Sequence, residues 1–430
     1  MTTYRKPRWI RWAVGYLLLC QLQAFTIVDR VLYGEWGGKS GDKLTQSLNL
    51  LQIIIGVLLF FQGAREWPRL RRGGVLSVSL AIFLLCSAVW SVEPGATLRM
   101  GVQYFFLIIG LIGAAETLEA DDFMSLLAFV CSLAAIISLS LIVINPAEVY
   151  NPSSGEFRGI FSQKNTLGQA MAMGALAGLH GLWARQRGRF FNIYVLVVTS
   201  FVAIKSQSTT SFSVILLFCV LGIQIKILQR GGIYRTLGVF GLILFIPLAL
   251  IVTFNMDSLM ETFGKDPTLT GRTDIWAYVW IYIYQRPWLG WGYAAFWSLS
   301  NPAALQISES LKWIVPEAHN GILEILLSGG LIGAVMFIYL WVRAVRLALQ
   351  CVRTSEVALA ITCFLICAGV VVEGVSEWVL LYPGPLTSVF FVTGFFCERA
   401  ISKSRQRRPI ARVPPVADHV ASSLAAAKWP

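Results

Sequence analysis

The sequence predicts an all-α polytopic membrane protein of about twelve transmembrane helices, with one long outward-facing loop that contains short helices. Of the 430 residues, 56% are hydrophobic and only 13% are charged, and the mean hydropathy is +0.66. A soluble globule of this composition would expose large apolar patches. The apolar runs approach the roughly 20 residues that cross a bilayer, and they are continuous rather than alternating, which indicates helices.

Twelve apolar runs are candidates for membrane spans. The first follows a basic segment and lacks a small-residue cleavage site, so we interpret it as a retained span rather than a signal peptide. The predicted spans are 12–28, 47–64, 75–91, 100–115, 123–144, 166–183, 190–204, 212–229, 237–254, 322–342, 357–374 and 385–397.

The basic residues predict the orientation. Most Lys and Arg fall on alternate connections if the N-terminus is cytoplasmic, as the positive-inside rule requires. This gives a cytoplasmic N-terminal segment (1–11), a transmembrane domain (12–397) and a disordered, basic, cytoplasmic tail (398–430). One inner connection, 116–122, is instead acidic. The net charge of +12 mostly reflects this inside bias and attraction to membrane lipids, so we expect no nucleic-acid partner.

The outward connection 255–320 is far longer than the other outward connections. A long loop in a compact protein is usually functional. We therefore expect most of the chemistry in it.

A second outward connection carries basic residues where Lys and Arg are uncommon. Arg158, Lys164 and Asn165 lie at the mouth of the sixth span. Arg offers a bidentate fork for phosphate, Lys a point charge, and the following helix N-terminus adds unpaired N–H groups. This pattern predicts an anion site, although snorkelling to lipid headgroups would explain the same residues.

The long loop adds Arg272, Asp274 and Arg286. Between the two arginines, aromatic residues follow both a period of two, typical of a strand, and an i, i+4 stripe, typical of a helix on the membrane surface. We favour the helix. Its aromatic rings could stack on sugars, but an interfacial aromatic belt explains them without a ligand.

The end of the long loop supplies an acid–base candidate. His319 is the one histidine predicted to face outward, and Glu317 and Asn320 flank it. An imidazole is a natural general base near neutral pH, and a neighbouring carboxylate can orient it. A purely structural histidine is the alternative.

Five segments in this order carry further motifs: Trp90-Ser91-Val92-Glu93-Pro94, Phe157 to Gly168, Ser206 to Ser211, Gly271 to Trp276 with Leu289-Gly290-Trp291-Gly292, and Ala318-His319-Asn320-Gly321 with Gly329 to Gly333. Together they resemble the O-antigen ligase and Wzy-type polymerase family. Each motif is loose alone, but five in register on a protein of twelve predicted spans are fairly specific.

This resemblance implies a GT-C-like, inverting, metal-independent glycosyltransferase of the bacterial inner membrane, with both termini cytoplasmic. Its substrates would be undecaprenyl-pyrophosphate-linked glycans, and its partners the flippase and chain-length regulator of the same pathway. Its active site and the long loop 255–320 would be periplasmic. No cofactor is expected. By the same resemblance, the substrate-binding residues would be Arg158, Arg272 and Arg286 on the pyrophosphate, with Lys164, Asn165, Asp274 and Asn320 beside them. His319 would be the catalytic base, and Glu317 would orient it.

Other functions stay open at this point. Within the family we favour polymerisation of repeat units into exopolysaccharide or O-antigen over an O-antigen ligase that transfers glycan to lipid A-core. A lipid-linked oligosaccharide flippase would line its interior with ionisable residues. A metal-dependent glycosyltransferase would use an acid in the first outward loop, where Asp29, Glu35 and Asp42 occur among basic residues.

Overall fold

The computed structural model describes residues 7–33, 43–65, 71–152, 154–186, 188–233, 236 and 270–407. Within these ranges all regular elements are helices, apart from one isolated β-bridge. The helices are α1 (Arg8–Gln21), α2 (Thr26–Tyr33), α3 (Lys43–Arg65), α4 (Arg72–Cys86), α5 (Pro94–Thr117), α6 (Ala120–Ile144), α7 (Pro146–Val149), α8 (Lys164–Trp183), α9 (Arg189–Lys205), α10 (Thr209–Gln229), α11 (Thr270–Gln285), α12 (Pro302–Leu311), α13 (Gly321–Cys351), α14 (Val357–Ser376) and α15 (Pro385–Arg407).

Seven of the described helices are long and apolar enough to cross a membrane: α3, α4 with the 3₁₀ turn that follows it, α5, α6, α10, α13 and α14. The predicted all-helical membrane fold is thereby confirmed. Helices also lie on the other predicted spans, except for 237–254, which falls outside the described residues. The count of twelve spans and the position of the long loop in the periplasm stay predictions.

The first predicted span differs from the structure. It was expected to be one helix over 12–28, but α1 ends at Gln21 and α2 begins only at Thr26. Between them Gln23 has a φ of 56°, a left-handed conformation that no continuous helix contains. The N-terminal segment therefore turns before it reaches Arg30.

Glycines allow the closest helix pair to form. Gly110 of α5 lies against Gly56 of α3, and a Cβ at Gly113 would lie 2.3 Å from the backbone of Leu59. In a bilayer, helices associate through packing rather than through the hydrophobic effect, so small residues that let backbones approach are favoured at such contacts. A side chain at Gly113 would force α3 and α5 apart.

The acidic connection 116–122, predicted to be cytoplasmic, is neutralised by basic side chains from other segments. Arg71 pairs with Glu116 at 2.8 Å, and Arg399 pairs with Glu119 at 2.5 Å. The buried Arg399 also donates to the carbonyl of Ala115. These bonds explain why α15 continues to Arg407, ten residues beyond the predicted end of the last span at 397, so that the first ten residues of the predicted tail are helical. Residues 408–430 lie outside the described residues.

A break in α13 joins three of the sequence motifs. Gly330 has φ 61° and ψ −161°, and a Cβ there would lie 2.3 Å from the backbone of Trp288. The break frees backbone groups, so Leu331 N–H donates to Pro287 O at 2.8 Å and Trp291 N–H to Leu327 O at 2.6 Å. The carbonyl of Trp291 in turn accepts from the N–H of Val92. The motifs around 90–94, 289–292 and 329–333 are therefore one backbone junction.

The described part of the long loop, 270–320, has a core of its own. The predicted helix there is confirmed, because α11 covers the aromatic stripe. Its buried face includes Ile275, Val279 and Ile283, which pack with residues of α12 and with Leu323 and Leu327 in the first turns of α13. The loop thus forms a small helical unit seated on the outer end of α13.

Candidate active site

Four segments meet at the end of the bundle predicted to face outward. They are residues 156–165 before and at the start of α8, the first turn of α11, residues 317–320 before α13, and residues 377–382 after α14. Asn165 and Glu377, which are 212 positions apart, are joined here by a hydrogen bond. Because the segments are so distant in sequence, only the helix packing brings their polar side chains together.

Glu377 lies at the centre of these contacts. Its side chain is only 7% exposed, and its Oε1 atom accepts a hydrogen bond of 2.8 Å from Asn165 Nδ2. Arg272 Nη2 is 3.8 Å from the same oxygen. The backbone N–H of Glu377 donates to the carbonyl of Glu373 at 2.9 Å, which holds the residue at the end of α14.

His319 is held in position through its neighbour Ala318. The indole N–H of Trp276 donates to the carbonyl of Ala318 at 2.9 Å, and the N–H of Ala318 donates to Glu324 Oε1 at 2.6 Å. Glu324 is buried and also accepts from Trp297 Nε1. With Ala318 bonded on both sides, His319 adopts the uncommon φ of 49°.

The imidazole stands beside Glu317, as the sequence predicts. His319 Nδ1 lies 3.1 Å from Glu317 Oε1, but at an angle unsuited to a hydrogen bond, so Nδ1 is buried without a hydrogen-bond partner among the described residues. Both side chains are 23% exposed. A small rotation would complete the hydrogen bond and leave Nε2 as the basic atom.

Two predicted substrate-binding residues lie at the N-terminal ends of helices. Asn320 is the N-cap of α13, because its Oδ1 accepts from the N–H groups of Ile322 and Leu323 at 3.0 and 3.2 Å. Such a cap satisfies backbone donors that the helix itself leaves unpaired. Asp274 lies in the first turns of α11, two residues after Arg272, with its side chain exposed.

Lys164 and Arg158 belong to neighbouring but separate charge clusters. Lys164, the first residue of α8, pairs with Glu156 and lies close enough to Glu377 to affect its ionisation. Arg158 is buried near Arg30 and Glu148, which form an ion pair of 2.6 Å. Burial and the charge of Arg30 lower the pKa of Arg158, whereas Glu148 raises it.

The structure does not bring Arg286 to this cluster. It follows the last residue of α11, so 14 helical steps of 1.5 Å place it about 20 Å from Arg272 along the axis. Its guanidinium stacks over the ring of Trp291 at 4.2 Å and donates to the carbonyl of Trp90. Arg286 is thus bonded to the backbone junction described above.

Burial and charge both act on the Glu377 carboxyl. Burial and, to a smaller extent, the nearby Glu317 raise its pKa, whereas Arg272, His319 and Lys164 lower it, and together they leave the pKa at about 7. A group that titrates near neutral pH in a site of mixed charge is a common feature of active sites.

Sequence reasoning missed Glu377. The predicted spans 357–374 and 385–397 leave a short outward connection that contains a carboxylate between Ser376 and Trp378. The signal that could have identified it is an acidic residue directly after an apolar span, because charged residues at the edge of a span are uncommon and are usually functional. Its partners, however, come from distant segments.

Ligand atoms of Glu317, His319 and Glu377 lie within 4.8 Å of one another, a spacing that could hold a divalent cation. Two positive side chains already act on this position, because Arg272 pairs with Glu377 and Lys164 lies nearby. A divalent ion would be repelled by both. The trio thus lies among positive as well as negative side chains.

Comparison with known proteins agrees with the motifs. The family model described as "O-Antigen ligase" matches residues 193–338, a region that holds Arg272, Glu317 and His319. The chain carries an O-antigen ligase family region. The resemblance predicted from the sequence to the O-antigen ligase and Wzy-type family is thereby confirmed. This O-antigen ligase region excludes Lys164, Asn165 and Glu377, so the site extends beyond it on both sides.

A curated protein with a similar sequence supports the same family resemblance. The chain is 27% identical over 288 residues to the exopolysaccharide production protein ExoQ of Rhizobium meliloti (strain 1021). The alignment covers 62% of this chain and 63% of that protein, a little under two thirds of its length. The two comparisons thus agree on the family that this chain resembles.

Proposed function

We propose that this protein is a membrane glycosyltransferase that polymerises undecaprenyl-pyrophosphate-linked oligosaccharide repeat units into exopolysaccharide or O-antigen at the periplasmic face of the bacterial inner membrane. The observation that carries the proposal is the convergence of Arg272, Lys164 and Asn165 with His319 and Glu317 at one end of the helical bundle. Anion-binding groups and an acid–base pair thus share one site.

The basic groups suit the leaving group of the donor. A glycosyl pyrophosphate gains negative charge on its bridging oxygen as the bond to the sugar breaks. Arg272 and Lys164 would stabilise that charge, and Asn165 and the first N–H groups of α8 would donate hydrogen bonds to phosphate oxygens. Arg158 lies in the adjacent cluster with Arg30, from which it would contact the lipid-side phosphate.

The imidazole suits the acceptor. A hydroxyl of the growing glycan would attack the anomeric carbon opposite the pyrophosphate, so the configuration inverts in a single displacement. His319 Nε2 would take the hydroxyl proton while the carbon–oxygen bond to pyrophosphate breaks and its electron pair leaves with undecaprenyl pyrophosphate. Glu317, beside Nδ1, would orient the ring and stabilise the imidazolium.

We further propose that the reaction needs no metal, because guanidinium and ammonium groups supply the positive charge that a divalent ion would otherwise provide. Activity that persists in EDTA is the expected result. A strict requirement for an added divalent ion would contradict this part of the proposal and would favour the Glu317, His319 and Glu377 trio as its ligands.

Reconstitution in liposomes with purified lipid-linked repeat units tests the proposal. We expect wild-type protein to form polymer, and Arg272→Ala to lower the rate by about 10²- to 10³-fold through lost charge stabilisation. The control is Arg353→Ala, an exposed arginine beyond the far end of α13. Full activity of Arg272→Ala would contradict the assignment of the site.

A second function is favoured by the description of the matching family model, O-antigen ligase. A ligase would transfer finished glycan to lipid A-core instead of to another lipid-linked unit. The same reconstitution distinguishes the two if both acceptors are offered separately. Transfer to lipid A-core without formation of lipid-linked polymer would establish the ligase and refute the polymerase.

A further inference from the structure

We propose that Glu377 is a displaceable counter-ion: its carboxylate occupies the anion site formed by Arg272 and Asn165 until the pyrophosphate of the donor takes its place. The inference rests on the function proposed above, because it concerns the same site. It adds a residue outside the region matched by the family model and assigns it a role in donor binding rather than in bond formation.

The contacts of Glu377 are those that a phosphate oxygen would make. Its Oε1 atom accepts from Asn165 Nδ2 at 2.8 Å and faces Arg272 Nη2 at 3.8 Å. Carboxylate and phosphate oxygens prefer the same donors, amide N–H and guanidinium. One oxygen of Glu377 therefore faces two of the groups, Asn165 and Arg272, that the proposed mechanism assigns to the pyrophosphate.

The longer distance to Arg272 indicates that this pairing can be exchanged. At 3.8 Å the guanidinium is beyond hydrogen-bonding distance, whereas Arg343 and Glu398, at the opposite end of the bundle, are 2.5 Å apart. Arg272 is thus near a negative charge without being fully bonded to it. A bidentate phosphate group could offer the guanidinium better geometry than Glu377 does.

Displacement leaves the carboxylate beside the negative charge of the pyrophosphate, which favours uptake of a proton from water. The charged and titratable groups around Glu377 are Lys164 from α8, Arg272 from α11, Glu317 and His319 before α13, and Glu373 one turn earlier on α14. Because burial and these neighbours together leave the pKa of Glu377 at about 7, that uptake occurs close to neutral pH.

A buried carboxylate in this place also prevents an empty site from carrying uncompensated positive charge. The same arrangement recurs at Lys164, which pairs with Glu156. Each basic group assigned to the donor at this cluster thus faces one carboxylate. Replacing the carboxylate by an isosteric amide should remove the competing charge while it keeps the shape of the site.

The test measures binding of inorganic pyrophosphate by titration calorimetry to the full-length protein in nanodiscs at pH 6, 7 and 8. Removing a like charge next to the anion site should make Glu377→Gln bind about tenfold more tightly than wild type at pH 8. The difference should shrink at pH 6, where the wild-type carboxyl is protonated. Glu398→Gln, a carboxylate paired with Arg343 at the other end of the bundle, is the matched control.

Equal or weaker pyrophosphate binding by Glu377→Gln would overturn the inference. In the polymerisation assay the same variant should lower the KM for the lipid-linked donor and keep kcat within about tenfold of wild type. A kcat reduced 100-fold at unchanged KM would also overturn it, because Glu377 would then act on the reacting atoms. The pyrophosphate-binding result is independent of the proposed function, which fails instead if wild-type protein forms no polymer.

Glu377→Asp guards against a folding defect in the amide variant. It keeps the charge but withdraws the carboxylate by one methylene from Arg272 and Asn165, so we expect pyrophosphate binding two- to fivefold tighter than wild type. Binding of Glu377→Asp that is weaker than wild type, at unchanged thermal stability, would contradict displacement.

Discussion

Replacing Gly330 by alanine tests the backbone junction that seats the long loop on α13. Gly330 combines φ 61° with ψ −161°, a region that residues with a Cβ essentially avoid, and its Cβ would lie 2.3 Å from the carbonyl of Trp288. The clash is with backbone, which cannot move aside as a flexible side chain can. The loop segment 287–291 must therefore separate from α13.

The expected decrease in the free energy of unfolding follows from the backbone strain and from the hydrogen bonds that would be lost. Backbone strain in this region costs about 1–3 kcal/mol. Three hydrogen bonds span the junction, from Trp291 to Leu327, from Leu331 to Pro287 and from Ile332 to Trp288, at 2.6, 2.8 and 3.2 Å. At about 1 kcal/mol each, a partial loss brings the total to about 3–5 kcal/mol.

Unfolding by SDS titration in mixed micelles, followed by tryptophan fluorescence, measures this difference in free energy. Gly394→Ala in α15 is the matched control, because its Cβ meets nothing within 4 Å and alanine should stabilise the helix by about 0.5–1 kcal/mol. If Gly330→Ala lost less than about 1 kcal/mol, the argument that the break in α13 requires glycine would be refuted.

Further predictions concern the site. His319→Ala should lower kcat by about 10²- to 10⁴-fold, and an unchanged kcat would exclude it as the base. Trp276→Phe, which removes the bond beside His319, should lower kcat more than Trp280→Phe, whose ring is exposed. Arg286→Ala should lower the free energy of unfolding by about 1–2 kcal/mol, from its contact with Trp291, and leave the KM for the donor unchanged. The free energy of unfolding of wild type should fall as pH rises from 4.5 to about 7, because the raised pKa of Glu377 makes its ionised form unfavourable in the folded state; Glu377→Gln should flatten this slope.

The aromatic stripe of α11 shows why local sequence patterns predict secondary structure well. Trp276, Trp280 and Tyr284 recur at helical spacing, and α11 is a helix. Helical periodicity is a local property of the chain, so the sequence is enough to detect it. The sequence does not predict which ring makes a tertiary contact. Trp276 donates a hydrogen bond to the carbonyl of Ala318, whereas Trp280 is exposed.

Among the predicted site residues, too, contacts between near neighbours in sequence were predictable and distances across a helix were not. His319 and Glu317 are two positions apart, so their proximity was predictable and the structure places them 3.1 Å apart. Arg272 and Arg286 looked equivalent because both are outward arginines of one loop. A helix separates them by about 20 Å, since each residue advances it by 1.5 Å.

The sequence alone determined that this chain is a helical membrane protein, that the segments predicted to face outward carry basic residues and a histidine, and that its motifs resemble the O-antigen ligase and Wzy-type family. Those properties depend on amino-acid composition, on the periodicity of apolar and aromatic residues, and on short-range spacing. The tertiary structure decided that Glu377, between α14 and α15, meets Asn165 of α8 and Arg272 of α11. No pattern along the chain encodes that meeting, because it depends on how glycine-rich helices pack over more than 200 positions of sequence.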